Sequence, residues 1–123
     1  MAKFSGLATA GVQVTNYNEA LDFYTKILGF EKKSDMGPQS CWGKIGTLGL
    51  YIEGNCNRVE LQKEDTKICL VLDVDNVEEC FNEMKALGAC IDDKLNALNM
   101  ENIFWFRFRD PAGNILEAAG AKK

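Results

Sequence analysis

Trp105, Arg107 and Glu117 carry the chemistry on which the chain is best read. An indole offers a flat apolar face, a guanidinium a forked donor for carboxylate or phosphate, and a carboxylate an acceptor or base. Phe104, Phe106 and Phe108 alternate with Trp105, Arg107 and Arg109. In an extended strand that alternation puts the phenylalanines on one face and the indole and guanidinium on the other. Asp110-Pro111-Ala112-Gly113-Asn114 follows. Pro111 pre-sets φ for a turn, and Gly113 or Asn114 can take the left-handed conformation that closes it. A short strand returning from this hairpin as far as Glu117 brings that residue near Trp105 and Arg107. Two readings compete. One is a pocket that stacks a flat or apolar ligand on Trp105, with Trp42 as a second indole, and offers Arg107 to an anionic group. The other is a cross-strand Arg107–Glu117 ion pair, with Trp105 sealing a dimer interface.

What is missing narrows the chemistry further. None of the 123 residues is histidine. The commonest metal ligand and the commonest general base near neutral pH are therefore gone, and with them any Ser-His-Asp or Cys-His arrangement within the chain. Cys41, Cys56, Cys69, Cys80 and Cys90 are odd in number and form no C-x-x-C pair. They read as reduced, small apolar residues rather than as a disulfide framework or a zinc site. Cys69 could be a nucleophile only if a cation such as Arg107 stabilised its thiolate, so an inert thiol is the preferred reading. The net charge of −4 provides no basic stripe for nucleic acid. No apolar run approaches a membrane span, and no secretory pattern opens the chain. A cytoplasmic location is the expectation.

These residues need a scaffold, and the hydrophobic pattern supplies one. Alternation predicts a strand over Leu7 to Val14, and Asn16 offers a helix cap. Tyr17, Ala20, Leu21, Tyr24, Ile27 and Leu28 then recur at helical spacing, with Gly29 as the stop. Strands follow over Phe30 to Met36, Cys41 to Ile45 and Leu48 to Glu53. A polar segment reads as a linker. Ile68 to Val74 is β-forming, Asp75 or Asn76 caps a helix over Val77 to Leu87, and Gly88 ends it. Cys90 to Leu95 reads as a weak strand and Asn96 to Asn102 as a loop before the hairpin. Val14-x-Asn16 and Val74-x-Asn76 coincide at an offset of about sixty residues, as do Glu19 with Glu79 and, within a position, the closing glycines. The simplest account is a duplication, with neither half large enough to bury both a helix face and a sheet face alone.

The hairpin and the first helix also carry a family resemblance. Phe-x-Phe-Arg-Asp-Pro-x-Gly-Asn-x-x-Glu, ending at Glu117, resembles the last hairpin of the vicinal-oxygen-chelate superfamily. That superfamily holds glyoxalase I, bleomycin resistance proteins and extradiol dioxygenases. Val14 to Phe30, with Ala20-Leu21-Asp22-Phe23-Tyr24 and Leu28-Gly29-Phe30, resembles its first helix and following strand. The resemblance implies an α+β fold of two tandem βαβββ modules packed into a curved mixed sheet that forms a cup. Residues 1–123 then make one domain, with module one at 4–54, a linker at 55–66 and module two at 67–120.

In that superfamily's enzymes the cup holds a divalent metal on donors from four strands. Carried over residue by residue, those positions fall on Thr9, Tyr51, Cys69 and Glu117, although a slip would bring Glu53 in for Tyr51. Only Glu117 is a strong ligand for a hard metal, so the resemblance implies a member with no metal and no other cofactor. The cup would be lined by Thr9, Gln13, Trp42, Tyr51, Cys69, Trp105, Arg107 and Glu117. The expected function is binding of a drug or metabolite without chemistry, as in the bleomycin resistance branch, by a homodimer. The alternatives are a lactoylglutathione-lyase-like lyase or isomerase with Glu117 as base, and a structural module whose cup is closed by side chains.

Overall fold

The computed structural model describes residues 2–54, 68–98 and 102–123. The chain divides into two compact units, Met1–Val59 and Glu60–Lys123. The linker expected over 55–66 lies outside the described residues. Among the described residues no helix is long and apolar enough to cross a membrane.

The first unit runs β1 (Ala10–Gln13), α1 (Tyr17–Lys26), β2 (Glu31–Gly37), β3 (Ser40–Ile45) and β4 (Leu48–Glu53). Its four-stranded sheet has the order β1-β4-β3-β2, with β1 parallel to β4 and the other pairs antiparallel. The apolar residues of β1 and β4 face one way: Ala10, Val12, Leu50 and Ile52 are buried. Helix α1 packs on β4 and buries Tyr17, Ala20 and Tyr24, the stripe that its spacing predicts.

The second unit runs β5 (Leu70–Asp73), α2 (Val77–Ala86), β6 (Cys90–Ile91), β7 (Asn96–Ala97), β8 (Ile103–Arg109) and β9 (Ile115–Ala121). Its five-stranded sheet has the order β5-β9-β8-β6, with β7 also on β8. Here β5 is parallel to β9. Helix α2 buries Val77, Phe81 and Met84. The Phe81 ring meets Phe106 edge-on, with centroids 5.3 Å apart. Phe106 and Phe108 are fully buried, as the alternation of β8 requires.

The duplication is visible in detail. Asn16 accepts the Glu19 backbone N–H at 3.0 Å, and Asn76 accepts that of Glu79 at 3.3 Å. Such a cap contributes about 1 kcal/mol to its helix. Gly29 and Gly88 close the helices at φ +72° and +81°. Past β1, the Val14 N–H donates to Glu53 at 2.9 Å; past β5, that of Val74 donates to Ala119 at 3.0 Å.

Three expectations need correction. The first strand starts at Ala10 rather than Leu7, because pairing with β4 begins at Ala10↔Leu50 and Leu7 is exposed. The strand expected over Cys90 to Leu95 is two short pieces, Cys90–Ile91 and Asn96–Ala97, joined by a polar loop. The last strand runs past Glu117 to Ala121, because Ile103 to Trp105 continue the ladder with Ala119 to Ala121.

Candidate functional site

In the first unit the register sets Gly11 beside Tyr51 on one side and Trp42 beside Tyr51 on the other. A Cβ on Gly11 would come within 2.1 Å of the Tyr51 ring, so the ring occupies the space a side chain there would need. Trp42 lies over Gly49 in a looser version of the same arrangement, 3.2 Å from where a Cβ would be. The Trp42 Nε1–H donates to Thr9 Oγ1 at 3.2 Å, and the Thr9 hydroxyl in turn donates to the Ala10 carbonyl at 3.2 Å. Thr9, Trp42 and Tyr51 therefore gather on one face. Gln13 lies two residues beyond Gly11 and is paired in register with Glu53.

On the opposite face of this sheet, burial raises the Tyr17 hydroxyl well above an ordinary phenol, and a hydrogen bond with Cys41 adds to the rise. Both residues are buried. This pair supports the core.

In the second unit the hairpin turn is fastened by Asp110. Its Oδ1 accepts the Ala112 and Asn114 backbone N–H groups at 3.0 and 2.9 Å, and its Oδ2 accepts the Asn114 amide at 2.9 Å. Gly113 takes the left-handed conformation at φ +87°. The resulting register puts Arg107 opposite Glu117. Arg107 Nε and Nη2 donate to the same oxygen, Glu117 Oε2, at 3.1 and 2.7 Å. The two side chains are 25% and 16% exposed, which shields the pair more than an open surface pair. The guanidinium carbon lies 6.0 Å from the centre of the Trp105 ring, at the outer limit of cation–π attraction.

Cys69 reports on the same charges. Burial pushes its thiol up, the Glu117 carboxylate pushes it further, and Arg107 opposes both. A thiol shifted in this direction is a poorer nucleophile than an ordinary cysteine. The structure brings Cys69, Glu117, Arg107 and Trp105 together within this unit.

A cavity of about 320 Å³ is lined by Asp92, Asp93, Lys94, Asn96, Trp105 and Arg107. Four of these come from the loop between β6 and β7 and from β7's first residue, none of which the sequence reading singled out. Asp92 replaces a strand partner where the ladder is interrupted. Its N–H donates to the Arg107 carbonyl at 2.9 Å, and its Oδ2 accepts the Arg107 N–H at 2.8 Å. The Asn96 amide lies 3.4 Å from both Asp92 Oδ2 and the Trp105 carbonyl. The loop is held by its own side chains, and the wall of the cavity with it. The signal in the sequence is Asp92-Asp93-Lys94, a polar break inside an otherwise weak strand pattern.

A family model described as Glyoxalase/Bleomycin resistance protein/Dioxygenase superfamily matches residues 6–118. No curated protein matches the chain. Among solved structures, SMU.1112c is 24% identical with a TM-score of 0.81, over 96% of this chain and 100% of that one. A glyoxylase/bleomycin resistance protein/dioxygenase domain from Frankia sp. EAN1pec is 18% identical with a TM-score of 0.76, over 98% and 100%. A mutant of the fosfomycin resistance protein FosX from Listeria monocytogenes, complexed with Mn(II) and 1S,2S-dihydroxypropylphosphonic acid, is 19% identical. It has a TM-score of 0.75 over 94% of this chain and 90% of that one. At these identities the structural likenesses show the fold.

Proposed function

The chain belongs to the Glyoxalase/Bleomycin resistance protein/Dioxygenase superfamily, and from that premise we propose that it binds a small molecule against Trp105 and Arg107 without a metal. The observation that carries the proposal is the Arg107–Glu117 pair beside the cavity. Glu117 is the one strong metal donor among the carried-over positions, and a guanidinium already supplies its counter-charge at 2.7 Å. The other donors are no better suited. Thr9 accepts from an indole, the Tyr51 ring is laid over Gly11, and a lone Cys69 thiol is a soft donor with no second one beside it among the described residues. Among the described residues no three His, Cys, Asp or Glu side chains gather into a metal-binding group. We read this donor set as unsuited to a divalent cation.

What the site offers instead is an aromatic face, a fixed cation and a carboxylate, a common way to orient a small organic ligand. The lyase reading finds less support. A base at Glu117 would have to act while its oxygen accepts two N–H groups from Arg107. Homodimerisation belongs to the same proposal, and sedimentation equilibrium of the purified protein checks it.

The test uses calorimetry against a panel of planar ring compounds, with wild type and Trp105→Ala compared. Ligands that bind the wild type are expected to weaken about tenfold or more in the variant, the loss of one stacked face. Unchanged affinity for every bound compound would remove Trp105 from the site and sink the proposal.

A further inference from the structure

We infer that the cavity beside Trp105 takes a compact zwitterion carrying a ring, a ligand of aromatic amino-acid chemistry. The inference rests on the small-molecule reading above and deepens it. In the described part of the second unit almost every cation has a partner. Lys85 donates to the Asp93 carbonyl at 3.0 Å, Arg107 to Glu117 at 2.7 Å and Arg109 to the Gly113 carbonyl at 2.8 Å. Lys122 pairs with Glu78 and Lys123 with Asp75. Lys94 is the exception: its ammonium has no hydrogen bond or ion pair among the described residues. The Asp93 carboxylate is in the same condition; only the backbone carbonyl of that residue is used.

These two opposite charges are sequence neighbours, line one cavity and yet do not pair with each other. The remaining charges on the wall are committed. Asp92 takes the Arg107 N–H and faces the Asn96 amide, and Arg107 holds Glu117. A ligand with one charge would gain Asp93 or Lys94 and meet the other as a like charge. A ligand with both charges satisfies each, an ammonium on Asp93 and a carboxylate on Lys94, and can lay its ring on Trp105. The cavity of about 320 Å³ lies at the small end of ligand sites, matching a ring joined to a short charged head.

Titration calorimetry at low salt with L-phenylalanine, phenethylamine, 3-phenylpropionate and 3-phenylpropanamide tests the inference. L-Phenylalanine is expected to bind about fivefold more tightly than each singly charged analogue, the scale of one exposed ion pair. Lys94→Gln should erase its advantage over phenethylamine, and Asp93→Asn its advantage over 3-phenylpropionate. Both side chains are exposed, so neither change removes packing. If all four probes bind alike and all weaken in Trp105→Ala, the zwitterion inference is overturned while the pocket reading stands. If none binds by about 10 mM, the zwitterion inference is overturned, and the panel of planar ring compounds decides the pocket reading separately.

Discussion

The two sheets began from the same plan and use the same register positions for different chemistry. Gly11 lies beside Tyr51 in the first unit as Val71 lies beside Glu117 in the second. Trp42 is opposite Tyr51 as Arg107 is opposite Glu117. In the first unit the missing Cβ of Gly11 lets the Tyr51 ring lie across the neighbouring strand, and Trp42 settles over Gly49 with its N–H on Thr9. That face is filled by its own aromatic rings. In the second unit Val71 carries a branched side chain where Gly11 has none, and Glu117 turns to Arg107. The loop at 92–95, braced by Asp92, then leaves a cavity beside Trp105. Differences at three shared register positions, Gly11 against Val71, Tyr51 against Glu117 and Trp42 against Arg107, thus separate an aromatic face from a charged one.

The strongest way to break this contrast is to give Gly11 a side chain. Gly11→Ala drives a methyl to within 2.1 Å of the Tyr51 ring, so the ring must leave its place. Chemical denaturation should show a loss of about 2 kcal/mol, typical of overpacking. In a Tyr51→Ala background the same change should cost less than half as much, because the obstructing ring is gone. Equal costs in both backgrounds would mean that the ring does not depend on the glycine.

Removing the charge on the other face should cost somewhat less. Arg107→Ala leaves Glu117 half-buried without its guanidinium, and partial exposure keeps the expected loss to about 1.5 kcal/mol. Replacing both partners by Arg107→Met and Glu117→Leu should recover most of it. A double variant as unstable as the single one would indicate that the pair matters for more than its charges.

The smallest effect is a titration shift. The Cys69 thiol is raised by burial and then by Glu117, so its alkylation by iodoacetamide should accelerate only above the usual thiol range. Glu117→Gln removes a negative charge next to the thiolate, so the midpoint should fall. Arg107→Gln removes the opposing positive charge, so it should rise. Peptide-resolved mass spectrometry separates Cys69 from the exposed Cys90. Midpoints that move the other way would place these charges elsewhere.

Most of this scaffold was legible because its signals are local. Asn16 and Asn76 cap helices through side chains three residues from their targets, and Gly113 closes its turn by its own φ. The alternation around Phe106 and Phe108 named the buried face of β8, and the Arg107–Glu117 pairing followed from the hairpin. The loop at 92–95 was not legible. Its place depends on Asp92 reaching the backbone of Arg107, fifteen residues on, a contact that no periodicity encodes. The Tyr51 ring on Gly11 was hidden for the same reason, since a glycine in a strand pattern does not say which neighbour will use its space. The alternation thus placed Trp105 and Arg107 on one strand face, while the loop residues that line the cavity beside them were missed.

The central claim is that Arg107 supplies the cation on which Glu117 depends. Titration calorimetry of the purified, chelator-treated protein with Mn²⁺ and Ni²⁺ tests it most directly. The account predicts no binding tighter than about millimolar for either ion. Stoichiometric micromolar binding that disappears in Glu117→Gln would contradict it, by showing that the carboxylate leaves Arg107 for a metal.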